Sequence, residues 1–422
     1  MYTRPVIAEL QARVTQDGPR AIQIVAGPRQ VGKTTVVRQL LERRPMPSGM
    51  YVAVDEPMWS ARSGDIAPGT VGITYSARAD GGWLAEQWQR AMIAARTWAQ
   101  MNGADPLPFL LVVDEIQKIV DWPAHVKGLW DRSMADDVRM HVVLLGSAPL
   151  LMQKGLAESL AGRFEVIKMN HWSFEEMASA FNVSLEEYIY FGGFPGSSGH
   201  IRDEQRWREY IVLGLISPNI ERDILQLTRI DKPALLKQLF EVGCSYSGQI
   251  VSLDKVRGHL TDAGNVTTLS HYLNLLAEAG LLRGIYKYSD RDLRRRQSPP
   301  KFQALNTALM TAPGRYSFQE AKADRSHWGH LVETAVGAHL CNGCAVGTQI
   351  HYWREGAFEV DFIVEHHSRL AALEVKTGHA TNARRGAAEF SRRRHDCRTW
   401  VVGPTGVSLS EFLRYPPEHW VD

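Results

Sequence analysis

The chain has 422 residues, of which 44% are hydrophobic and 22% are charged, values that are ordinary for a folded protein and exclude general disorder. Its formal net charge of +2 gives no global electrostatic case for nucleic-acid binding, so any such case must rest on local patches. Four cysteines are too few for a disulfide scaffold. The N-terminus lacks an apolar signal segment and no apolar run approaches a membrane span, so we expect a cytoplasmic protein without a membrane partner.

A glycine-bearing loop follows the apolar run 21–26 and opens into a segment with helical spacing, 36–41. Strand, loop and helix form the context in which G-x-x-x-x-G-K-[ST] binds phosphate, because the glycines let the backbone direct its N–H groups inward. Lys33 is expected to reach the β- and γ-phosphates of ATP, and the Thr34 hydroxyl to bind Mg²⁺. The expected cofactor-binding residues are Gly27, Pro28, Arg29, Gln30, Val31, Gly32, Lys33, Thr34 and Thr35.

Two further apolar runs, 108–113 and 141–145, are typical of strands buried on both faces, and each ends in polar residues. Asp114 is expected to hold the Mg²⁺ shell, and Glu115 to orient and deprotonate the attacking water. Ser147 is expected to sense the γ-phosphate or position the water. Because open α/β sheets bind ligands at the carboxyl ends of their strands, these residues predict an ATPase.

With segments 158–163, 172–176, 192–195 and 220–224, these motifs resemble the AAA-type ATPases of bacteria and archaea that carry a shared C-terminal domain of unknown function. The resemblance covers nearly the whole chain. It implies hydrolysis between subunits of a homo-oligomer, either a ring or a smaller assembly. Arg163 resembles the arginine finger of such enzymes, with Arg222 as second choice; the alternative for Arg163 is a surface salt bridge.

A change of pattern at residue 231 predicts three helices followed by a two-stranded hairpin, the order of a winged helix. The hairpin tip carries Arg291, Arg294, Arg295 and Arg296, which is consistent with contacts to a nucleic-acid backbone. Winged helices also serve as protein–protein modules, and the third helix is poor in cations. The pattern therefore favours weak contacts to the backbone over reading of base sequence.

The C-terminal segment has a helix with Glu333, three strands, a basic helix and a last strand. Asp361 stands thirteen residues before Glu374-Val-Lys376, and this arrangement resembles the PD-(D/E)XK nuclease fold. Carboxylates of Glu333, Asp361 and Glu374 are expected to share Mg²⁺ or Mn²⁺ while Lys376 acts as the catalytic lysine. Val360 stands where the motif has proline, and the alternative is a DNA-binding platform without catalysis.

The expected fold class is multidomain α/β. It comprises a P-loop AAA-type parallel-sheet core over residues 1–170, a helical lid over 171–230, a winged helix over 231–305 and a PD-(D/E)XK-like mixed α/β domain over 306–422. The leading hypothesis is a Mg²⁺–ATP-dependent oligomeric motor or remodeller that binds duplex, branched or single-stranded DNA, with a C-terminal nuclease-like domain that binds DNA or cuts it. The alternative is a nucleotide-switched regulatory ATPase acting on a protein partner.

Overall fold

The computed structural model describes residues 2–15, 21–55, 79–103, 107–146, 159–224, 230–262, 264–289, 298–378, 385–394 and 396–422; for residues 222 and 223 it describes the backbone alone. The chain divides into two compact units, which meet in sequence between Met169 and Asn170. Among the described residues, no helix has the length and apolar character needed to cross a bilayer.

The first unit is built on a five-stranded parallel sheet with strand order β2-β3-β4-β1-β5. A parallel sheet core was predicted, and this prediction is confirmed. The strands are β1 Ile22–Ala26, β2 Gly49–Ala53, β3 Phe109–Asp114, β4 Met140–Gly146 and β5 Phe164–Lys168. The helices are Val6–Thr15, Lys33–Glu42, Gly81–Asn102 and Trp122–Ala135.

Helices cover both faces of this sheet, which explains why its central strands read as continuous apolar runs. Successive residues of β3 point to opposite faces. Leu111 lies in the core that contains Trp88, whereas Leu110 lies in the core that contains Leu40. In register, Ala53 lies beside Asp114 and Ala26 beside Gly146. The carboxyl ends of four strands therefore lie along one edge.

The second unit combines helices with a six-stranded mixed sheet of order β11-β10-β9-β8-β6-β7. Its strands are β6 Leu282–Lys287, β7 Lys301–Ala304, β8 Thr348–Glu355, β9 Phe358–His366, β10 Arg369–Val375 and β11 Cys397–Val402. Its α-helices are Phe174–Phe181, Leu185–Phe191, Glu204–Glu209, Pro233–Ser245, Leu253–Arg257, Val266–Glu278, Ala308–Thr311, Phe318–Ala323, Arg325–Gly343, Arg385–Arg393 and Leu409–Phe412. Two π-helical segments are Tyr210–Ile216 and Asn219–Ile224.

Three helices and an antiparallel hairpin occur in the order expected of a winged helix, from Pro233–Ser245 to β7. The hairpin strand β6 also pairs in parallel with β8, with Tyr286 opposite His351. A single sheet thus spans segments that the sequence analysis assigned to two domains. The winged-helix and PD-(D/E)XK identities remain predictions, and the arginine-bearing hairpin tip lies outside the described residues.

Candidate functional site: a nucleotide-binding loop at the sheet edge

The phosphate loop connects β1 to the helix Lys33–Glu42 and depends on two glycines for different reasons. A side chain on Gly27 would lie 1.9 Å from the carbonyl oxygen of Met169, so only glycine allows this approach. Gly32 has φ +88°, in the left-handed region that favours glycine. Among the described residues, no side chain caps the helix at Gly32. Its first N–H groups are therefore suited to an anion.

The Lys33 side chain lies inside the loop. Its ammonium donates to the carbonyl oxygens of Gly27, at 2.9 Å, and Pro28, at 2.6 Å. The remaining loop residues frame this cation: Val31 is buried and accepts a hydrogen bond from Arg4, Arg29 is half-buried, and Gln30 and Thr35 are exposed. A buried ammonium in a loop that leads into a helix N-terminus is chemically suited to a polyphosphate.

Thr34, which follows the phosphate loop, contacts Asp114, which ends β3. The Thr34 hydroxyl donates to Asp114 Oδ2 at 2.7 Å, although 80 residues separate them in sequence. Asp114 is buried at the end of β3, and Thr34 is half-buried in the first helical turn. A hydroxyl and a carboxylate are the hard oxygen ligands that Mg²⁺ prefers, so these residues fit a Mg²⁺–nucleotide.

Glu115 follows Asp114 with φ +58°, a left-handed conformation that costs roughly 1–2 kcal/mol for a residue other than glycine. Its N–H donates to Asp114 Oδ1 at 2.8 Å. The Gln117 amide donates to Glu115 Oε2 at 2.8 Å, and Lys118 Nζ lies 3.6 Å from the same oxygen. Strained backbone often marks a functional position, and here it places a carboxylate next in sequence to Asp114, which contacts Thr34.

Sequence reasoning missed Tyr51, which lies on β2 beside β3. Its hydroxyl donates to Asp114 Oδ2 at 2.8 Å, so this oxygen accepts from both Tyr51 and Thr34. Burial first, and then the hydrogen bond to Asp114, raise the pKa of Tyr51 well above its usual value. The phenol therefore remains a donor at physiological pH and holds the carboxylate in one orientation. No motif marks Tyr51; the pairing of β2 with β3 was needed to find it.

Tyr51→Phe should weaken ATP binding in Mg²⁺ by about tenfold, because a hydrogen bond to a charged group contributes about 1.5–3 kcal/mol. Binding in EDTA should stay unchanged, because the loop contacts to phosphate do not involve Tyr51. Titration with a fluorescent ATP analogue in each condition measures both affinities, with Tyr246→Phe as a matched control in the other unit. Equal losses in Mg²⁺ and EDTA would instead indicate a purely structural role.

Of the two remaining candidates of this unit, the structure describes the contacts of Arg163 and not those of Ser147. Ser147 lies outside the described residues, next to the end of β4 at Gly146. Arg163 makes a two-pronged ion pair with Asp131, with Nε–Oδ1 at 2.7 Å and Nη2–Oδ2 at 3.1 Å. Hydrogen bonding from Arg163 lowers the pKa of Asp131. Within its own subunit Arg163 thus occupies a partly exposed salt bridge, and the side chain of Arg222 is not described.

In the second unit the structure brings Asp361, Glu374 and Lys376 together, since β9 and β10 are neighbours. Lys376 Nζ lies 3.6 Å from Asp361 Oδ2 and 3.8 Å from Glu374 Oε2. The two carboxylates are already engaged by backbone. Asp361 Oδ2 accepts from the Val375 N–H at 2.7 Å, and Glu374 Oε1 from the Ala387 N–H at 2.9 Å. Glu374 therefore anchors the N-terminal turn of the helix Arg385–Arg393.

Glu333 has a partner that the sequence analysis overlooked. Lys301 Nζ lies 2.5 Å from Glu333 Oε1 and donates to the backbone carbonyl of Asp361 at 3.0 Å. Within the described ranges, no group of three His, Cys, Asp or Glu side chains is placed to hold a metal ion. The predicted Mg²⁺ or Mn²⁺ set of Glu333, Asp361 and Glu374 is therefore not supported, because an ammonium and backbone N–H groups engage these carboxylates instead.

Comparison with known proteins assigns the first unit. The family model described as an AAA domain matches residues 19–178. Residues 19–178 are thus similar to AAA domains. The five-stranded parallel sheet and the phosphate loop of the N-terminal unit both lie within the matched segment. Two models described as domains of unknown function match the rest, DUF8612 over residues 182–316 and DUF4143 over residues 328–407.

The similarities to individual proteins cover part of the chain. An uncharacterized protein of Mycobacterium tuberculosis is 25% identical over 290 residues, 67% of this chain and 62% of its own length, so the chain spans less than two thirds of that relative. An uncharacterized protein of Haemophilus influenzae is 29% identical over 195 residues, 43% of this chain and 46% of its own length. The solved ORC2 protein of Aeropyrum pernix in its ADP form has TM-score 0.34 and 12% identity, covering 67% of this chain and 89% of that chain. A structural similarity at this level assigns no function.

Proposed function

We propose that the chain is a Mg²⁺–ATP-dependent ATPase whose site comprises the phosphate loop, Asp114 and Glu115. The observation that carries the proposal is the 2.7 Å contact between Thr34 Oγ1 and Asp114 Oδ2, which unites the two halves of the signature. Mg²⁺, when bound, neutralises charge on the phosphates. Lys33 would bind the β- and γ-phosphates, Asp114 would hold the Mg²⁺ shell with Thr34, and Glu115 would orient water and accept its proton.

Phosphate release from ATP by the purified full chain, with Mg²⁺ or EDTA, tests this proposal. We expect turnover in Mg²⁺ and none in EDTA, and the turnover in Mg²⁺ should vanish in Asp114→Asn. Binding of ATP without hydrolysis in any condition would leave a nucleotide-binding protein and contradict the ATPase. No detectable ATP binding would remove the nucleotide site altogether.

We further propose that the ATPase works as a homo-oligomer on DNA, with the C-terminal segment as a binding platform. Arg385 and Arg392 are exposed on or near the helix Arg385–Arg393, which supports contact with phosphates. The sequence left open whether this segment binds DNA or cuts it. The ion pair between Lys301 and Glu333 supports DNA binding without cleavage.

One observation favours the alternative of a nucleotide-controlled switch for a protein partner. Arg392 and Arg393 both bond to Glu389, at 2.8 Å in each case, and Arg393 also pairs with Glu355. Hydrogen bonds from the two arginines lower the pKa of Glu389 to about 2, so it stays ionised. These arginines are thus partly neutralised within the chain, which reduces their attraction for DNA.

The response of the ATPase to DNA separates the two candidates. With single-stranded, duplex or branched DNA, the DNA-acting enzyme should hydrolyse ATP several-fold faster, whereas the switch should not respond. Glu389→Gln should strengthen DNA binding several-fold at low salt, because it releases two arginines. Glu411→Gln, which removes an exposed carboxylate from another helix, is the matched control. DNA affinity that is equal in both variants would count against this helix as the contact surface.

A further inference from the structure

Lys301 is unusual because its side chain is only 1% exposed, whereas lysines are almost never fully buried unless they are paired. It begins β7, and its ammonium lies 4.2 Å from the centre of the Phe362 ring. Removing an ammonium from water is costly unless charge partners and hydrogen bonds compensate. The structure supplies that compensation from two other elements.

Those partners are the residues on which the predicted metal site depended. Glu333, on the helix Arg325–Gly343, gives a carboxylate oxygen at 2.5 Å from Lys301 Nζ. Asp361, on β9, gives its backbone carbonyl at 3.0 Å. A second lysine, Lys376, has its Nζ 3.6 Å from the Asp361 carboxylate and 3.8 Å from that of Glu374. Two ammonium groups therefore approach the three carboxylates of Glu333, Asp361 and Glu374.

We propose that Lys301 is the resident cation of this carboxylate cluster and takes the place of a divalent metal. A metal ion on Glu333 would share its carboxylate with a buried ammonium, and like charges at that distance in a poorly solvated site repel strongly. The nuclease-like site is therefore a metal-free structural junction between β7, β9 and the Glu333 helix. This inference is independent of ATP hydrolysis, so it can fail while the ATPase proposal stands.

Mn²⁺ binding by the full chain tests the proposal. Every protein in this test carries Asp114→Asn and is measured without nucleotide, and the chain with this substitution alone is called the background. Asp114→Asn removes the carboxylate expected to hold metal in the first unit. Free Mn²⁺ is followed by electron paramagnetic resonance, and the melting temperature is measured in Mn²⁺ and in EDTA. This background should show no saturable binding at millimolar Mn²⁺. Adding Lys301→Ala should create one Mn²⁺ site and make the melting temperature rise with Mn²⁺.

Lys322→Ala is the matched control, because it removes an exposed ion pair with Glu186 in the same unit. It should gain no Mn²⁺ site. Two results would overturn the proposal. The first is saturable Mn²⁺ binding by the background, if Asp361→Ala abolishes that binding. The second is a Lys301→Ala variant that folds and binds no Mn²⁺.

A second variant keeps the test decisive if Lys301→Ala does not fold. Lys301→Met combined with Glu333→Gln removes both charges while nearly conserving volume, so it should fold and bind no Mn²⁺. Breaking a buried pair from one side leaves an uncompensated charge, so Lys301→Met alone should melt at a lower temperature than the double variant. A double variant no more stable than Lys301→Met alone would contradict the charge compensation on which the proposal rests.

Discussion

Glu115→Gln should lower the turnover number for ATP by about 10²-fold or more while leaving ATP affinity within about twofold of the wild type. General-base catalysis contributes typically 10²–10⁴-fold, and glutamine keeps the size of the side chain but cannot accept the proton. ATP affinity should survive because Lys33, Thr34 and Asp114 hold the nucleotide. Phosphate release measures turnover, and titration with a fluorescent ATP analogue measures affinity.

Lys33→Ala provides the opposite pattern, since it removes the cation that lies inside the loop and should abolish binding together with turnover. Glu42→Gln, which neutralises an exposed carboxylate at the end of the same helix, is the control for a general change of charge. Normal turnover in Glu115→Gln would rule out Glu115 as the base. Its left-handed backbone would then have to be explained by folding alone.

Sequence reasoning succeeded in the first unit where the signal is local. Continuous apolar runs predict strands buried on both faces, and β3 is buried along its whole length. Once such strands lie parallel in one sheet, their carboxyl ends must meet at one edge, as those of β1 and β3 do with β4 between them. Thr34 and Asp114 could therefore be expected to lie together from the pattern of their own segments, despite their separation in sequence.

Contacts that depend on strand register or on burial of a charged group carry no comparable signal. Tyr51 could be placed beside Asp114 only by knowing that β2 pairs with β3. Lys301 falls in the second strand of the predicted hairpin, and a lysine in a short strand is normally expected to face solvent. Only the continuity of the second sheet brings it to Glu333. The prediction of a metal there is not supported, because it counted the carboxylates and not the Lys301 ammonium that contacts Glu333.

For Arg163, residue type and position in the sequence suggest an arginine finger. Its contact in the structure is an ion pair with Asp131. An exposed ion pair such as Arg163–Asp131 contributes little to stability, so it can be broken at little cost. An arginine that is held weakly in its own subunit is available to a neighbouring nucleotide. The two roles are therefore compatible, and they differ in what mutation of each partner should do.

Arg163→Ala should lower ATP turnover by about 10³-fold with ATP affinity unchanged, because an arginine finger stabilises charge in the transition state alone. Asp131→Asn should leave turnover unchanged or slightly raised, since it releases the arginine.

Mixing Arg163→Ala with Glu115→Gln then distinguishes action between subunits from a structural ion pair. The first variant keeps an intact base and lacks the finger, while the second keeps the finger. Turnover recovered in the mixture, and absent from either variant alone, requires one subunit to complete the site of another. Equal small losses in Arg163→Ala and Asp131→Asn, with no recovery on mixing, would assign Arg163 to the salt bridge and remove the need for an oligomer.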